Sequence, residues 1–190
     1  AGGSSILGTE SGKVGLAQEN YVSLLGRDVI TLKNNGVIDL TGASSTGMYT
    51  NYGVLENNKI INVAQNGVGL YGVNGTLSNN TGTGTINIGD NGIGVYGINV
   101  NPSSSPYGDK KIEIEHSGNI TSNGLNSAYG IIGDNDLSLG MVKSDSKITV
   151  HSGSLIDLSS VNAASLGKAV GIYANNSVLN ISGDIKVGNM

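Results

Sequence analysis

Hydrophobic positions in this chain alternate with polar ones in short bursts and do not follow the three-to-four rhythm of a helix. The bursts are "VIDL" (37–40), "IINV" (60–63), "TINI" (85–88), "KIEIE" (111–115), "KITV" (147–150), "LIDL" (155–158), "VLNI" (178–181) and "DIKV" (184–187). Each carries β-branched residues and is bounded by Gly, Asn or Ser, which is the punctuation of strands. No segment keeps a helical stripe for three turns. The best helix candidate is 161–174, and its glycines and β-branched residues argue against it.

A second regularity runs between the bursts. "GVGLYG" (67–72) returns as "GIGVYG" (92–97), and weaker copies stand at "TGMYT" (46–50), "AYGII" (128–132) and "GIYA" (171–174). Their tyrosines, Tyr49, Tyr71, Tyr96, Tyr129 and Tyr173, lie 22, 25, 33 and 44 residues apart. Equal motifs at unequal intervals imply one repeated unit with insertions of different length. The cycle reads as a tyrosine strand, a short second strand such as "GTLSN" (75–79), a turn rich in Asn, Ser and Gly, and a third strand of the form x-I-x-L/V. The shortest cycles hold about 22 residues, too few for a helical crossover but enough for three short strands per turn of a parallel β-helix. The prediction is an all-β chain, 1–190, forming a single β-helical segment of about six coils, some incomplete. At ~4.8 Å per coil the rod is on the order of 30 Å long.

The two-residue period assigns faces. In the third strand, Ile38/Leu40, Ile61/Val63, Ile86/Ile88, Ile156/Leu158 and Ile185/Val187 point inward, and Asp39, Asn62, Asn87, Asp157 and Lys186 form an outward row. In the tyrosine strand, Met48, Leu70, Val95 and Ile172 point inward, with Val68, Ile93 and Val170 two residues earlier. This phase leaves the five tyrosines outside, stacked one coil apart, with Gly69, Gly94 and Gly171 giving them lateral space.

Composition agrees with a repeat protein. The chain has 31 Gly and 24 Asn but no Phe, Trp or Cys, and only 13% of its residues are charged. A disordered chain of this length carries more charge and fewer β-branched residues, and a globular enzyme commonly fills its core with Phe or Trp. A net charge of −4 without a basic run gives no reason to expect nucleic acid. Lack of Cys excludes disulfides and thiolate metal sites. No apolar run approaches the roughly 20 residues of a membrane helix, so no span is expected in this segment. The chain opens "AGGSSILG" without Met or a signal peptide, as a mature or excised fragment would.

The stretches "GVGLYGVNGTLSNNTGTGTINIGDNGIGVYGIN" (67–99) and "GIYANNSVLNISGDIKVGN" (171–189) resemble the passenger repeats of large fusobacterial type V (Va) autotransporter adhesins. The resemblance is one of repeat rhythm and covers most of the chain. It implies a right-handed parallel β-helix, displayed on the bacterial cell surface and anchored at the outer membrane by a C-terminal barrel that this sequence does not contain. It also implies adhesion to host cells or other bacteria, through a surface protein or glycan, by a monomer without a cofactor.

Residues with the chemistry of a catalytic or metal site do not converge in the sequence. His116 and His151 occupy similar turns, "EHSGN" (115–119) and "VHSGS" (150–154), one coil apart and near Glu115. A stable metal site needs further ligands, and a duplicated turn explains the pair. "GDND" (133–136) lacks the spacing of a calcium loop and reads as a solvated loop. Asp39 and Asp157 share a row but stand several coils apart, too far for the acid and base of a polysaccharide-degrading β-helix enzyme, which is the alternative reading. Arg27 is the only arginine. "GVG" and "GIG" are followed by no phosphate-loop lysine.

The inserts, near 18–27, 99–110, 133–146 and 159–168, break the repeat and therefore carry the functional expectation; without binding there, the chain is a spacer. Loops between β-helix strands leave the core untouched and gather on one face. The 99–110 insert has both prolines, which restrict it before binding. Its Asn101, Tyr107 and Lys110, with Lys111 beyond it, are the candidate contact residues, since Tyr107 offers a large amphipathic surface and the lysines a positive charge in an acidic chain. The ladder Tyr49, Tyr71, Tyr96, Tyr129 and Tyr173 is the competing surface, read either as packing that fixes register or as an aromatic strip for sugar rings or an apolar partner.

Overall fold

The computed structural model describes residues 4–19, 29–100, 111–135, 146–162 and 167–188. Within them the chain forms nineteen strands and no helix. The first coil holds β1 (Ser5–Gly8), β2 (Val14–Glu19) and β3 (Thr31–Asn34). The second holds β4 (Val37–Leu40), β5 (Thr46–Asn51) and β6 (Val54–Asn57). The third holds β7 (Ile60–Val63), β8 (Val68–Val73) and β9 (Thr76–Asn79). The fourth holds β10 (Thr85–Ile88), β11 (Gly92–Asn99) and β12 (Glu113–His116). The fifth holds β13 (Asn119–Ser122), β14 (Ala128–Asn135) and β15 (Lys147–Val150). The sixth holds β16 (Leu155–Leu158), β17 (Ala169–Asn175) and β18 (Val178–Ile181), after which β19 (Asp184–Val187) follows.

Every strand pairs in parallel with its equivalents three strands away, which makes three sheets: the first sheet (β1, β4, β7, β10, β13, β16, β19), the tyrosine sheet (β2, β5, β8, β11, β14, β17) and the third sheet (β3, β6, β9, β12, β15, β18). The fold is a parallel β-helix of six coils and one further strand. Its core is a set of stacked aliphatic columns. Ile38, Ile61, Ile86, Ile120 and Ile156 lie in register on the first sheet, all fully buried. Leu55, Leu77, Ile114 and Ile148 do the same on the third sheet. Each such side chain stabilises the fold by roughly 1.5–3 kcal/mol. The expected outward row is also present. Asn62 Nδ2 donates to Asp39 (3.2 Å), Asn87 Nδ2 to Asn62 Oδ1 (2.7 Å) and Thr121 Oγ1 to Asn87 Oδ1 (2.5 Å). Cover thins on β17 and β19, which lie at sheet ends: Ile172 and Ile185 are partly buried and Val187 is 48% exposed.

The tyrosine sheet departs from simple alternation. Met48, Leu70 and Val95 are buried as expected, but Val68, Ile93 and Val170 are not their inward companions. The residue facing inward there is the glycine between, and the ladder of paired residues skips it in each coil. A Cβ on Gly69 would run into Ile86 Cγ2 and the Gly94 carbonyl, and one on Gly130 would lie 2.5 Å from Ile156 Cγ2. The glycine column thus makes room for the isoleucine column inside the rod, not for tyrosines outside it.

A second interior feature uses asparagine. Asn34, Asn57, Asn79 and His116 end successive strands of the third sheet in one register row and are buried. Asn34 donates to Asn57 and Asn57 to Asn79, each at 2.8 Å, and the free amide protons reach backbone carbonyls at the corner. Asparagine also serves the other corners, where Asn66, Asn91, Asn74 and Asn176 hold φ of 57°, 56°, 50° and 48°, a region few other L residues tolerate.

Candidate functional site

Where the chain passes from the tyrosine sheet to the third sheet, the second, third and sixth coils turn in two residues: Tyr52–Gly53, Asn74–Gly75 and Asn176–Ser177. The same corner in the first, fourth and fifth coils is replaced by residues 20–30, 100–112 and 136–146. Three of the four predicted inserts therefore leave from one edge of the rod. The fourth interrupts the corner between β16 and β17. The strands run further than the sequence reading allowed: Glu19, Asn99 and Asn135 are strand residues. In "GDND" this makes Gly133–Asn135 strand and not loop, and Asp134 accepts from Asn175 Nδ2 at 2.8 Å. Asp136 lies outside the described residues.

The roots of the inserts are fixed by side-chain amides. Gln18 Nε2 donates to the Ile30 carbonyl at 3.2 Å. Asn74 of the third coil clasps the first residue beyond β11, donating to the Val100 carbonyl (2.5 Å) and accepting from its N–H (2.8 Å). Asn99 donates to Asn135 Oδ1 at 2.9 Å, and Asn135 to the Asn176 carbonyl at 2.9 Å. A loop held at its base loses less freedom when it meets a partner.

Between the first- and fourth-coil inserts, the tight corners of the second and third coils leave an open recess of about 280 Å³. Val29 bounds it on one side, Lys111 and Glu113 on the other, and Tyr52, Asn74 and Thr76 lie between. Of the candidate contact residues, Lys111 is described and stands exposed on this recess. Asn101, Tyr107 and Lys110 lie outside the described residues.

The tyrosine ladder is shorter than its motif suggests. Tyr49, Tyr71 and Tyr96 occupy one register row, continued by Ile132 and Tyr173. Tyr129 pairs with Ile93 and Val170, three residues earlier along the strand, because Gly130 and not the tyrosine is the equivalent of Gly94 and Gly171. The Tyr71 and Tyr96 rings are 5.2 Å apart and 11° from parallel, and Tyr49 meets Tyr71 at 5.4 Å and 50°. Stacked ring faces are turned toward each other along the rod and leave edges outward, a geometry that serves register better than sugar stacking. Burial raises the Tyr96 hydroxyl pKa, and the neighbouring Tyr71 and Asp134 charges add to this.

The two histidines part company. His116 pairs with Val150, so His151 falls one residue beyond its supposed equivalent. His116 is fully buried at the end of the asparagine row, facing Asn79 Nδ2 through Nδ1 (3.3 Å) and the Leu155 carbonyl through Nε2 (3.4 Å). This arrangement fits the neutral ring protonated on Nε2. Burial lowers its pKa to about 4, against the Leu155 bond, which raises it; the His151 charge lowers it further. His151 is outside, 2.5 Å from Glu115, which Lys147 also approaches at 3.8 Å. No three metal-ligating side chains converge among the described residues. Asp39 and Asp157 stand four register steps apart, about 19 Å, beyond any acid–base pairing across one glycosidic bond.

The interior asparagine row was missed in the sequence. Its signal is present as "TLKN", "VLEN" and "TLSN" (31–34, 54–57, 76–79), an Asn two residues after an inward Leu. Comparisons with protein-family models, characterised proteins and solved structures return no match to this chain.

Proposed function

We propose that this chain is a passenger segment of a bacterial autotransporter adhesin, in which the β-helix is the stalk and the inserts at one corner make the contacts. The observation that carries the reading is the clustering of three inserts on one edge, two of them flanking a recess formed by tight corners. Repeating faces offer the same chemistry at every coil and so little specificity, whereas inserts differ from coil to coil. The repeat rhythm's resemblance to fusobacterial type V passengers supports display on the cell surface, anchored by an outer-membrane barrel elsewhere in the polypeptide. The partner is a protein or glycan of a host or bacterial surface, met by a monomer without catalysis or cofactor.

The test compares cell binding of the unaltered segment, a variant with 100–111 shortened to a tight corner, and Tyr71→Ser. Loss of binding only in the shortened variant, with its β spectrum unchanged, is the expected result. Binding that survives shortening but fails in Tyr71→Ser moves the function to the tyrosine row.

A further inference from the structure

The face opposite in character to the insert corner is the outward side of the first sheet. A groove of about 450 Å³ runs along the rod there, lined by Asp39, Thr41, Asn62, Asn87, Thr121 and Asn123. Its origin is in the sequence. Thr41, Ala64, Gly89 and Asn123 follow β4, β7, β10 and β13 and continue the ladder, each N–H bonding the carbonyl one coil back. Ala64 and Gly89 in the middle are small, while Thr41 and Asn123 close the ends. From Thr41 to Asn123 is three coil steps, about 14 Å.

One wall is the bonded row Asp39, Asn62, Asn87 and Thr121. These bonds order the side chains before anything binds, yet each amide keeps a second N–H and a second lone pair. A preordered row of amides and hydroxyls is suited to ligand hydroxyls, which both donate and accept. Among the described residues Asp39, at one end, is the only charged one lining the groove, so a polyanionic chain gains nothing there.

We infer that this groove binds a short stretch of an extended neutral glycan lying along the rod, roughly three hexose or N-acetylhexosamine rings. The repeat distance favours a glycan over a peptide. Polar groups recur every ~4.8 Å, about the advance of one linked hexose, whereas an extended peptide repeats each face every ~6.7 Å and loses register after one coil. The site stands apart from the insert corner and does not depend on it.

The test follows side-chain amide resonances of the segment by NMR during titration with cellohexaose, maltohexaose, laminarihexaose and N-acetylchitohexaose. The expected result is saturable shifts at Asn62, Asn87 and Asn123 with at least one of them. Ala64→Leu, which fills the groove, and Asn62→Ser/Asn87→Ser, which removes the amides, each weaken binding by about tenfold or more, both with unchanged backbone spectra. The variant shortened at 100–111 keeps this binding, which separates the groove from the corner. Silence with all four saccharides, undiminished binding in the folded groove variants, or a response only to an extended Ser-Gly peptide overturns the inference.

Discussion

Acid should destabilise this rod through one buried imidazole. His116 ends a row of amides whose polarity is fixed: Asn57 donates to Asn79 Oδ1, which leaves Asn79 Nδ2 facing His116 Nδ1. Protonation would put a second N–H against that donor inside the core. The folded-state pKa of about 4 lies below the ordinary 6.5, so between these values the unfolded chain binds the proton and the folded one does not. Stability from this residue is complete above about pH 6.5, falls as pH drops, and reaches its full loss below about 4. At 1.36 kcal/mol per pH unit the total is about 3 kcal/mol. His116→Asn extends the amide row with a group that does not titrate. Urea unfolding of both proteins from pH 7.5 to 3.5 gives the comparison, and carboxylates common to both cancel in the difference. The unaltered chain should lose about 3 kcal/mol more than the variant across this range. Parallel curves would refute the buried, neutral placement of His116.

Three further outcomes follow from the core, the outward row and the corners. Ile88→Asp puts a carboxylate at a fully buried position between Val63 and Ser122, with an expected cost of about 3–5 kcal/mol in chemical denaturation. Asn87→Asp, one residue away and outward, removes the donor to Asn62 from a row anchored on Asp39, and should cost about 1 kcal/mol in the same assay. Asp90 receives the N–H groups of Leu125 (2.6 Å) and Asn126 (3.1 Å), and the Asn126 backbone bond is the main cause of its lowered pKa. Asp90→Ala should speed amide exchange at Leu125 and Asn126 while leaving strand amides of β10 and β13 protected.

The sequence made the fold legible wherever one side chain in two was aliphatic. Seven of the eight alternating bursts coincide with strands and the eighth, 111–115, enters β12 at its third residue, while Ile38, Ile61, Ile86 and Ile156 face inward as their period requires. The tyrosine strands were harder because the glycine turned inward has no side chain to mark its face. With Gly69 and Leu70 both buried, the alternation slips by one, and Val68 is left outside. Tyr129 was misplaced because the rings are the conspicuous letters of the motif, whereas packing against Ile156 fixes Gly130. His116 and the interior asparagines were hidden for a related reason. Polar residues beside Gly and Ser read as turns, and only the register shows that their amides bond one another inside the rod. The insert corner was legible in part: the repeat told where the rhythm breaks, but the three-sheet geometry was needed to see three breaks on one edge.

The rod's register is the claim on which the corner, the groove and the buried histidine all depend, and methyl–methyl NOEs measure it directly. With isoleucine δ1 methyls labelled, Ile86 should show contacts to Ile61 and to Ile120, its partners one coil to either side, and Ile38 and Ile156 should continue the column. Contacts from Ile86 only to methyls near it in sequence, or to one of the two partners without the other, would contradict the account.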